Sequence, residues 1–459
     1  MNKETAIEIV CKERPVLKAL FERSNEISIQ EYYNTTQNTS LQPNTKLIEA
    51  LVNVTRKRLG GADAHFLKEE LSSSYRVGTA DHHGPIGHPF FFHNAIIEHI
   101  LNPERTLIIL PCAGVSLGNS SFPRGLLLHD NTGALVRIPF FTSGERNEPV
   151  YGKRLSVERM KDIATTHIKK IRITDIQKEK LINVIDQILS KIENESLYEE
   201  IITHINKELW SQIVGESYPY IAIDQESIVV EYIRNPKSHN TDFVEILQDT
   251  VKIQQYINAY EKVIGAWDTA QHKGSHLFWF RGDKTRIPLW YKNGVLVNER
   301  ENISITLSNT AELKRLLDNK KLYPTMTLSF TILTGFCGLR TDGGFSQINY
   351  LTEMMSLHKK LQKYDIFSET DIPETSVFRG ELGVIPFEIG EKVVQATALD
   401  ILLYAPNDWK RKVLHHVSNA TLKEGLEAML EEFYKITTGK MERIEDLKIP
   451  EPLWKYEEE

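Results

Sequence analysis

The sequence has few cysteines and no long apolar runs. Its three cysteines, Cys11, Cys112 and Cys337, are far apart in a chain of 459 residues. They cannot form a disulfide framework, so the composition indicates a reducing compartment. No apolar run reaches the roughly 18 residues of a transmembrane helix, and charges interrupt residues 1–21 where a signal peptide would be apolar. We therefore expect a cytoplasmic protein with no membrane partner.

The sequence also lacks an excess of basic residues. Lys and Arg number 55 against 62 Asp and Glu, which gives a formal net charge of −7. Proteins that bind nucleic acid through a broad surface usually carry a basic excess, so we expect no nucleic-acid partner. The hydrophobic fraction of 41% is enough to build a sizeable core. A small-molecule enzyme fits these totals better than a disordered or nucleic-acid-binding protein.

Hydrophobic patterning divides the chain into five predicted segments of different character. Short apolar runs before glycine-rich loops predict buried strands, whereas apolar residues spaced by three and four predict helices. The segments are a helical N-terminus (1–60), an α/β segment with a histidine-rich loop (61–150), a helical insertion (151–215), an α+β segment (216–390) and a helical C-terminus (391–459). Because helices and strands alternate irregularly, we predict a mixed α/β or α+β fold with mixed sheets.

Local signals predict the bounds of several elements. Thr174 with Gln177, and Thr421 with Glu424, fit the capping box that begins a helix. Apolar residues on both sides of Asp130–Gly133 predict a hairpin of residues 126–128 with 135–141. We also predict strands within 220–233 and at the beginning of 325–351, and a helix over 242–264.

The most unusual segment is Thr79–His93, which reads "TADHHGPIGHPFFFH" and holds four histidines and an aspartate. Zinc, manganese and iron bind three or four nitrogen and oxygen donors, and glycine and proline give a loop the fixed shape that such ligands need. The segment therefore predicts a divalent metal site. The predicted ligands are Asp81, His83, His88 and His93.

Neighbouring residues in extended chain point to opposite sides, so only one of His82 and His83 can face a given ion. We assign His83 to the metal and His82 to catalysis, either as a general base or as a residue that orients the metal ligands. The alternative is that these histidines form hydrogen bonds within the loop or pack among the aromatic side chains of residues 90–92.

The string "VGTADHHGP" (Val77 to Pro85) resembles the "VGSTEQHGP" motif of creatininase-type amidohydrolases. In that family the acidic residue and the histidine two positions later bind metal, which implies Asp81 and His83 here. The later "GHGGN" motif of the family has no counterpart, because residues 118–121 contain no histidine. The triplet "DHH" is similar to that of the DHH phosphoesterases, whose aspartate-rich upstream motif is missing.

A second glycine-rich loop, "CAGVSLGNSS", follows a predicted strand, and its N–H groups are suited to phosphate or to a developing oxyanion. The longer string "SLGNSSFPRG" resembles the phosphate loop of acyl-adenylate-forming enzymes. We predict catalytic roles for Ser120, Ser121 and Arg124, and a substrate contact for Asn119.

Two further segments, His272–Arg286 and Cys337–Gln347, combine basic side chains with turns. Arginine binds carboxylate and phosphate in a bidentate manner, so these segments predict contacts with an anionic substrate. The predicted substrate-binding residues are His276, Arg281, Lys284, Arg286, Arg340 and Asp342. A solvated hairpin tip would account for the charges of the first segment equally well.

Together these patterns predict a metal-dependent hydrolase that acts on a small polar or anionic substrate, with a metal-bound water as the nucleophile. One alternative is a metal-free transferase or ligase, in which the histidines are acid/base groups and the glycine-rich loops hold a nucleotide or an acyl donor. The other alternative is a non-catalytic interaction protein that works through the helices of residues 154–214.

Overall fold

The computed structural model confirms a mixed α/β fold, with 48% helix, 16% strand and a helical C-terminal region. It describes residues 1–12, 14–37, 42–119, 125–215, 219–234, 242–367, 370–372, 376–448 and 450–457. Within these ranges, no helix is long and apolar enough to cross a membrane.

The helices follow one another along the whole described chain. In order they are α1 (Lys3–Cys11), α2 (Pro15–Arg23), α3 (Ile29–Thr35), α4 (Thr45–Leu59), α5 (Gly61–Ser73), α6 (Pro89–Leu101), α7 (Val157–Ile168), α8 (Asp175–Leu189), α9 (Tyr198–Val214), α10 (Gln225–Arg234), α11 (Asp242–Gln248), α12 (Thr250–Ala259), α13 (Thr310–Asp318), α14 (Met326–Phe330), α15 (Gln347–Lys363), α16 (Ala398–Tyr404), α17 (Trp409–Asn419), α18 (Leu422–Glu427) and α19 (Leu430–Thr438). A 3₁₀ turn covers Ser143–Glu145, and a π-helix covers Thr331–Phe336.

The strands are short and form several small sheets. In order they are β1 (Arg76–Gly78), β2 (Leu107–Ile109), β3 (Gly125–His129), β4 (Leu135–Pro139), β5 (Arg154–Leu155), β6 (Ser196–Leu197), β7 (Tyr220–Ala222), β8 (Phe278–Arg281), β9 (Arg286–Pro288), β10 (Trp290–Lys292), β11 (Val295–Asn298), β12 (Ile303–Thr306), β13 (Leu322–Pro324), β14 (Arg340–Gly343), β15 (Val377–Phe378), β16 (Pro386–Ile389) and β17 (Lys392–Gln395).

The largest sheet is parallel and has five strands in the order β15-β14-β1-β2-β7. Val77 pairs with Thr341 on one side of β1, and Ile108 of β2 pairs with Ile221 of β7. The chain runs outward from β1 through β2 to β7, and later places β14 and β15 on the other side of β1. The strand order therefore reverses between β1 and β14. In open parallel sheets, ligands bind beyond the carboxyl ends of the strands near such a reversal.

This sheet separates two hydrophobic cores, which explains why β2 and β7 are apolar on both faces. Val77, Ile108 and Ile221 face one core, which α4, α10 and α12 help to build. Ile109 and Ala222 face the other core, which contains residues of α6, α9 and the C-terminal helices. Residues of β2 and β7 belong to both cores, and Val77 holds β1 in one of them, so the loops at the carboxyl ends of these strands begin from rigid positions.

Several boundary predictions are confirmed. The hairpin forms between β3 and β4, with Leu127 opposite Arg137. Complete capping boxes begin α8 at Thr174 and α18 at Thr421. In each box the threonine side chain accepts a bond from the N–H three residues later, which satisfies a donor that the helix leaves free.

The strand predictions for residues 225–233 and 326–336 are wrong, because both segments are helical. At the first, the Asp224 carboxylate accepts a bond of 2.7 Å from the Ser227 N–H, which ends β7 and begins α10. At the second, the Thr325 hydroxyl accepts a bond of 3.2 Å from the Leu328 N–H and begins α14. These caps and the surrounding core outweigh the β propensity of the valines, isoleucines and threonines.

The helix predicted over 242–264 is two helices, and it ends earlier than predicted. The Asp249 carboxylate accepts bonds from the N–H groups of Val251 and Lys252, which begins α12. Asp249 thus acts as an N-cap inside the predicted helix. Aspartate favours this position because its side chain competes with the helical backbone bonds.

The π-helix leaves no space for a side chain at Gly335. A Cβ on this residue would collide with the imidazole of His358, whose ring is held 4.6 Å from Phe367 and 5.1 Å from Phe336, centroid to centroid. The ring therefore cannot turn away, and we expect Gly335→Ala to lower the free energy of unfolding by about 1–3 kcal/mol.

Urea unfolding of four variants checks this prediction. Gly61→Ala is the matched control, because no atom of the described residues, apart from the neighbouring helix backbone, lies within 4 Å of a Cβ placed there. In a His358→Ala background the cost of Gly335→Ala should largely disappear. An equal cost in both backgrounds would show that the collision with His358 is not the cause.

Candidate functional site

A cavity of about 480 Å³ lies at the carboxyl ends of β1 and β2. His82, Cys112 and Gly114 line it from the loops that follow these two strands. Trp279 and Arg286 line it from the hairpin of β8 and β9. Ligands of open parallel sheets bind beyond the carboxyl ends of the strands, near a reversal of strand order. The cavity has such a position, because it lies at the end of β1, and the order reverses between β1 and β14.

Strand-like pairing continues past the ends of β1 and β2 and positions the first two site residues. The N–H of Cys112 donates to the carbonyl of Asp81 at 2.9 Å, and the N–H of His83 donates to the carbonyl of Cys112 at 2.8 Å. This pattern is a parallel bridge between His82 and Cys112. Bridged residues direct their side chains to the same face of a sheet. The imidazole and the thiol are therefore neighbours in the cavity lining.

Arg286 is an exposed cation that is nevertheless held in place. Its Nη1 donates to the Gly114 carbonyl at 2.6 Å, and its guanidinium lies 4.4 Å from the ring centroid of Trp279. Lys262 and Lys273 also line the cavity, whereas Asp268 is the acidic residue among its lining. This balance of charge favours an anionic ligand.

His82 is half-buried and neutral at physiological pH. Burial lowers its pKa to about 4, and the positive charge of Arg286 lowers it further in the same direction. The Nδ1 atom of His82 is buried and has no hydrogen-bond partner among the described residues. A neutral imidazole with a free ring nitrogen beside an anion-binding cation is suited to proton transfer.

Glu226 completes the site, and it comes from the beginning of α10. Its carboxylate accepts bonds from the Cys112 thiol at 3.2 Å, from the Ala113 N–H at 2.8 Å and from the Gly114 N–H at 2.7 Å. Burial raises the pKa of Glu226 to about 8, and the charge of Asp224 raises it too. Burial also raises the pKa of the Cys112 thiol well above its ordinary value. Near neutral pH the thiol is thus protonated, and Glu226 can gain or lose a proton.

Glu226 is not among the residues predicted from the sequence, although the sequence contains a signal for it. Asp224 and Glu226 directly follow "YIAI", which contains the short strand β7, so they lie at the same carboxyl edge as the two loops. That signal has meaning only once β7 is placed next to β2 in a parallel sheet.

The predicted metal ligands lie apart from one another. His83 is fully buried, and its Nε2 is 2.9 Å from the Glu199 carbonyl. His93 is also fully buried, with one ring nitrogen 3.1 Å from the Leu382 carbonyl and the other 2.8 Å from the Ala396 carbonyl. His88 packs its ring 6.1 Å from that of Phe91.

No three His, Cys, Asp or Glu side chains of the described residues are grouped so that they could hold a metal ion. Asp81 follows β1 directly, and burial raises its pKa well above the ordinary value, with the charge of Glu381 acting in the same direction. The metal site stays a prediction.

Of the predicted substrate-binding residues, Arg286 lines the cavity, whereas the others have different surroundings. Arg281 donates to the carbonyls of Lys320 and Gly152 at 3.0 and 3.1 Å, and Lys284 is exposed. His276 is buried, and its Nδ1 accepts a bond of 2.9 Å from the Tyr291 N–H.

Arg340 and Asp342 form a separate ionic cluster with Arg76, Arg379 and Glu98. Arg340 bonds Asp342 at 3.1 Å, and Arg76 bonds Glu98 at 2.7 Å. Asn119 is described and half-buried, whereas the predicted catalytic residues Ser120, Ser121 and Arg124 lie outside the described residues.

Comparison with known proteins adds no family to this geometry, because no protein-family model and no curated protein matches the chain.

Proposed function

We propose that the chain is an enzyme that transfers a group to or from a small anionic substrate without a metal, in the cavity at the carboxyl ends of β1 and β2. The observation that carries the proposal is that His82, whose buried Nδ1 has no partner among the described residues, lies in the same cavity lining as Arg286. This corresponds to the metal-free transferase or ligase that the sequence offers as an alternative to a hydrolase.

Each residue of the lining has a distinct role in this proposal. Arg286 binds the carboxylate or phosphate of the substrate, and its bond to Gly114 and its contact with Trp279 fix its direction. His82 accepts a proton from the attacking group, because its lowered pKa keeps it neutral. Trp279 and Met326 supply apolar surface for the remainder of the substrate.

Anion binding is the first test. Inorganic phosphate and acetate, titrated separately, should raise the melting temperature of the wild-type protein, because a ligand that binds only the folded state stabilises it. Arg286→Gln should weaken the binding of the effective anion by about tenfold or more, since a charge-assisted bond contributes about 1.5–3 kcal/mol. Lys284→Gln is the matched control: Lys284 is exposed on the same hairpin, and it does not line the cavity.

His82→Gln separates binding from chemistry. The variant should bind the anion as the wild type does, whereas transfer with an activated ester such as p-nitrophenyl acetate should fall by about 100-fold or more. Equal anion binding by the wild type, Arg286→Gln and Lys284→Gln would contradict the proposal.

Elemental analysis decides between this proposal and the predicted metal-dependent hydrolase. We expect protein purified without chelator to contain no stoichiometric zinc, manganese or iron, because Nε2 of His83 and both ring nitrogens of His93 lie against backbone carbonyls. A stoichiometric metal ion that is lost in a His83→Ala/His88→Ala variant would restore the hydrolase hypothesis.

A further inference from the structure

We infer that Cys112 is a nucleophile that accepts an acyl group from the substrate as a thioester, with Glu226 as the base that accepts the thiol proton. This inference rests on the proposed function, because it uses the same cavity, and it names both the reaction and the substrate class. The substrate is an acyl compound that also carries an anionic group.

The surroundings of Cys112 differ from those of the other two cysteines. Its Sγ is 3.2 Å from Oε1 of Glu226. The sulfur also lies beside Gly114, another residue of the cavity lining, because a Cβ placed on that glycine would be 3.6 Å from the sulfur. Cys11 and Cys337 are equally buried, but neither forms a hydrogen bond with a described carboxylate. A thiol with a base in contact and access to a cavity can be activated once that base is ionised. For Glu226, whose pKa is raised to about 8, acetylation of Cys112 should therefore speed up as the pH rises through 8.

The Glu226 carboxylate is held in the direction that this role requires. The N–H groups of Ala113 and Gly114 bind one oxygen each, at 2.8 and 2.7 Å, so the carboxylate cannot turn away from the sulfur. The glycine at position 114 allows the Glu226 carboxylate to come this close to the backbone, because a Cβ there would lie only 2.9 Å from Oε1 of Glu226. His82, bridged to Cys112, brings a second proton-transfer group to the same face.

The proposed reaction has two half-steps. In the first, the thiol proton passes to Glu226, the sulfur forms a bond to the carbonyl carbon, and the bond to the leaving group breaks. The leaving group takes the proton from Glu226, and a thioester remains. In the second, an O–H or N–H acceptor loses its proton to His82 and attacks the thioester. The sulfur departs and recovers the proton from His82, so no oxidant or reductant is needed.

The test uses p-nitrophenyl acetate with the full-length protein, followed by peptide mapping by mass spectrometry. We expect a burst of p-nitrophenol and acetylation of Cys112 in the wild type. Cys337→Ser, which replaces another buried cysteine, should give the same burst, and Cys112→Ala should give none. Glu226→Gln should slow acetylation by about 100-fold, because glutamine cannot accept the proton.

Peptide mapping of the wild type needs no variant, so a folding defect in Cys112→Ala would not obscure the result. Acetylation spread over all three cysteines, or absent from Cys112, would overturn the inference. The anion titration separates the two failures. Anion binding that depends on Arg286 without acetylation of Cys112 would overturn this inference alone, whereas loss of both results would overturn the proposed function as well.

Discussion

Arg58→Met should lower the free energy of unfolding by about 3–5 kcal/mol, the usual cost of removing one partner from a buried ion pair. The Arg58 side chain is only 5% exposed, and the carboxylate of Asp224 is completely buried. The guanidinium bonds Asp224 at 2.6 Å and the Ser227 hydroxyl at 2.6 Å. Methionine would fill similar space but would leave the carboxylate without its strongest partner.

The charge of Asp224 depends on this partner. Burial alone would raise its pKa, but the positive charges of Arg58 and Lys320 and the hydrogen bond from Arg58 hold the pKa well below the ordinary value. Without Arg58, Asp224 must either stay charged in the core or take up a proton, and both outcomes cost free energy. The substitution of Arg58 also affects the candidate site, because the negative charge of Asp224 contributes to the raised pKa of Glu226.

Urea unfolding measures the effect, with Arg56→Met as the matched control, because Arg56 is exposed on the same helix α4. Adding Asp224→Asn to Arg58→Met should recover much of the loss, since asparagine is uncharged and can still cap α10. If Arg58→Met lowered the free energy of unfolding by less than about 1 kcal/mol, the Arg58–Asp224 pair would contribute no more than an exposed ion pair does, which would contradict the prediction.

The sequence predicts the two loops of the site better than it predicts their chemistry. The histidines and glycines of residues 79–93 identify the first loop, and a short apolar run followed by glycine and polar residues identifies the second. The prediction that His82 and His83 point to opposite sides of the extended chain is also confirmed. His82 lines the cavity, whereas His83 contacts the Glu199 carbonyl. Which of the two faces a ligand depends on the sheet order, which no local pattern contains.

The missing parts of the site are contacts over long distances along the chain. Glu226 reaches Cys112 across 114 positions, and Arg286 reaches Gly114 across 172. A single sequence has no signal for such contacts: it predicts Arg286 as a substrate-binding residue but not its bond to Gly114, and it marks Glu226 only once β7 lies next to β2. The strand errors at 225–233 and 326–336 have a related cause: a single capping side chain, Asp224 or Thr325, decides the local structure together with the tertiary core.

Stability should be greatest near pH 6.5 and should fall on both sides. Burial lowers the pKa of several histidines, among them His82, His93, His99 and His276 to about 4, and His88 and His358 to about 3. The unfolded chain binds protons at these residues below about pH 6.5, whereas the folded chain does not. Their contribution is complete above this pH and is lost as the pH falls toward 4. Each unmatched proton changes stability by about 1.4 kcal/mol per pH unit.

The opposite sign applies to buried carboxyl groups. Burial raises the pKa of Glu226 and Glu381 to about 8, so the folded chain retains protons that the unfolded chain releases above about pH 4.5. Their contribution is complete at low pH and is lost as the pH rises toward 8. Between pH 4.5 and 6.5 the unfolded chain binds more extra protons at the histidines than the folded chain retains at these carboxyl groups, so stability rises with pH. Above pH 6.5 only the carboxyl groups still change, so stability falls.

Thermal unfolding at pH 4–9 in buffers of constant ionic strength tests both arms, and two variants assign them. The glutamine of Glu381→Gln is uncharged but can still accept the bond from the Phe345 N–H. This variant should therefore reduce the fall of stability above pH 6.5 and leave the fall at acid pH unchanged. His358→Leu removes an imidazole whose two ring nitrogens are buried without partners among the described residues, so it should flatten the acid arm alone. If stability instead increased steadily from pH 5 to pH 9, the buried carboxyl groups would have to be ionised in the folded state. Glu226 would then be a carboxylate throughout this range, and acetylation of Cys112 should lose its dependence on pH near 8.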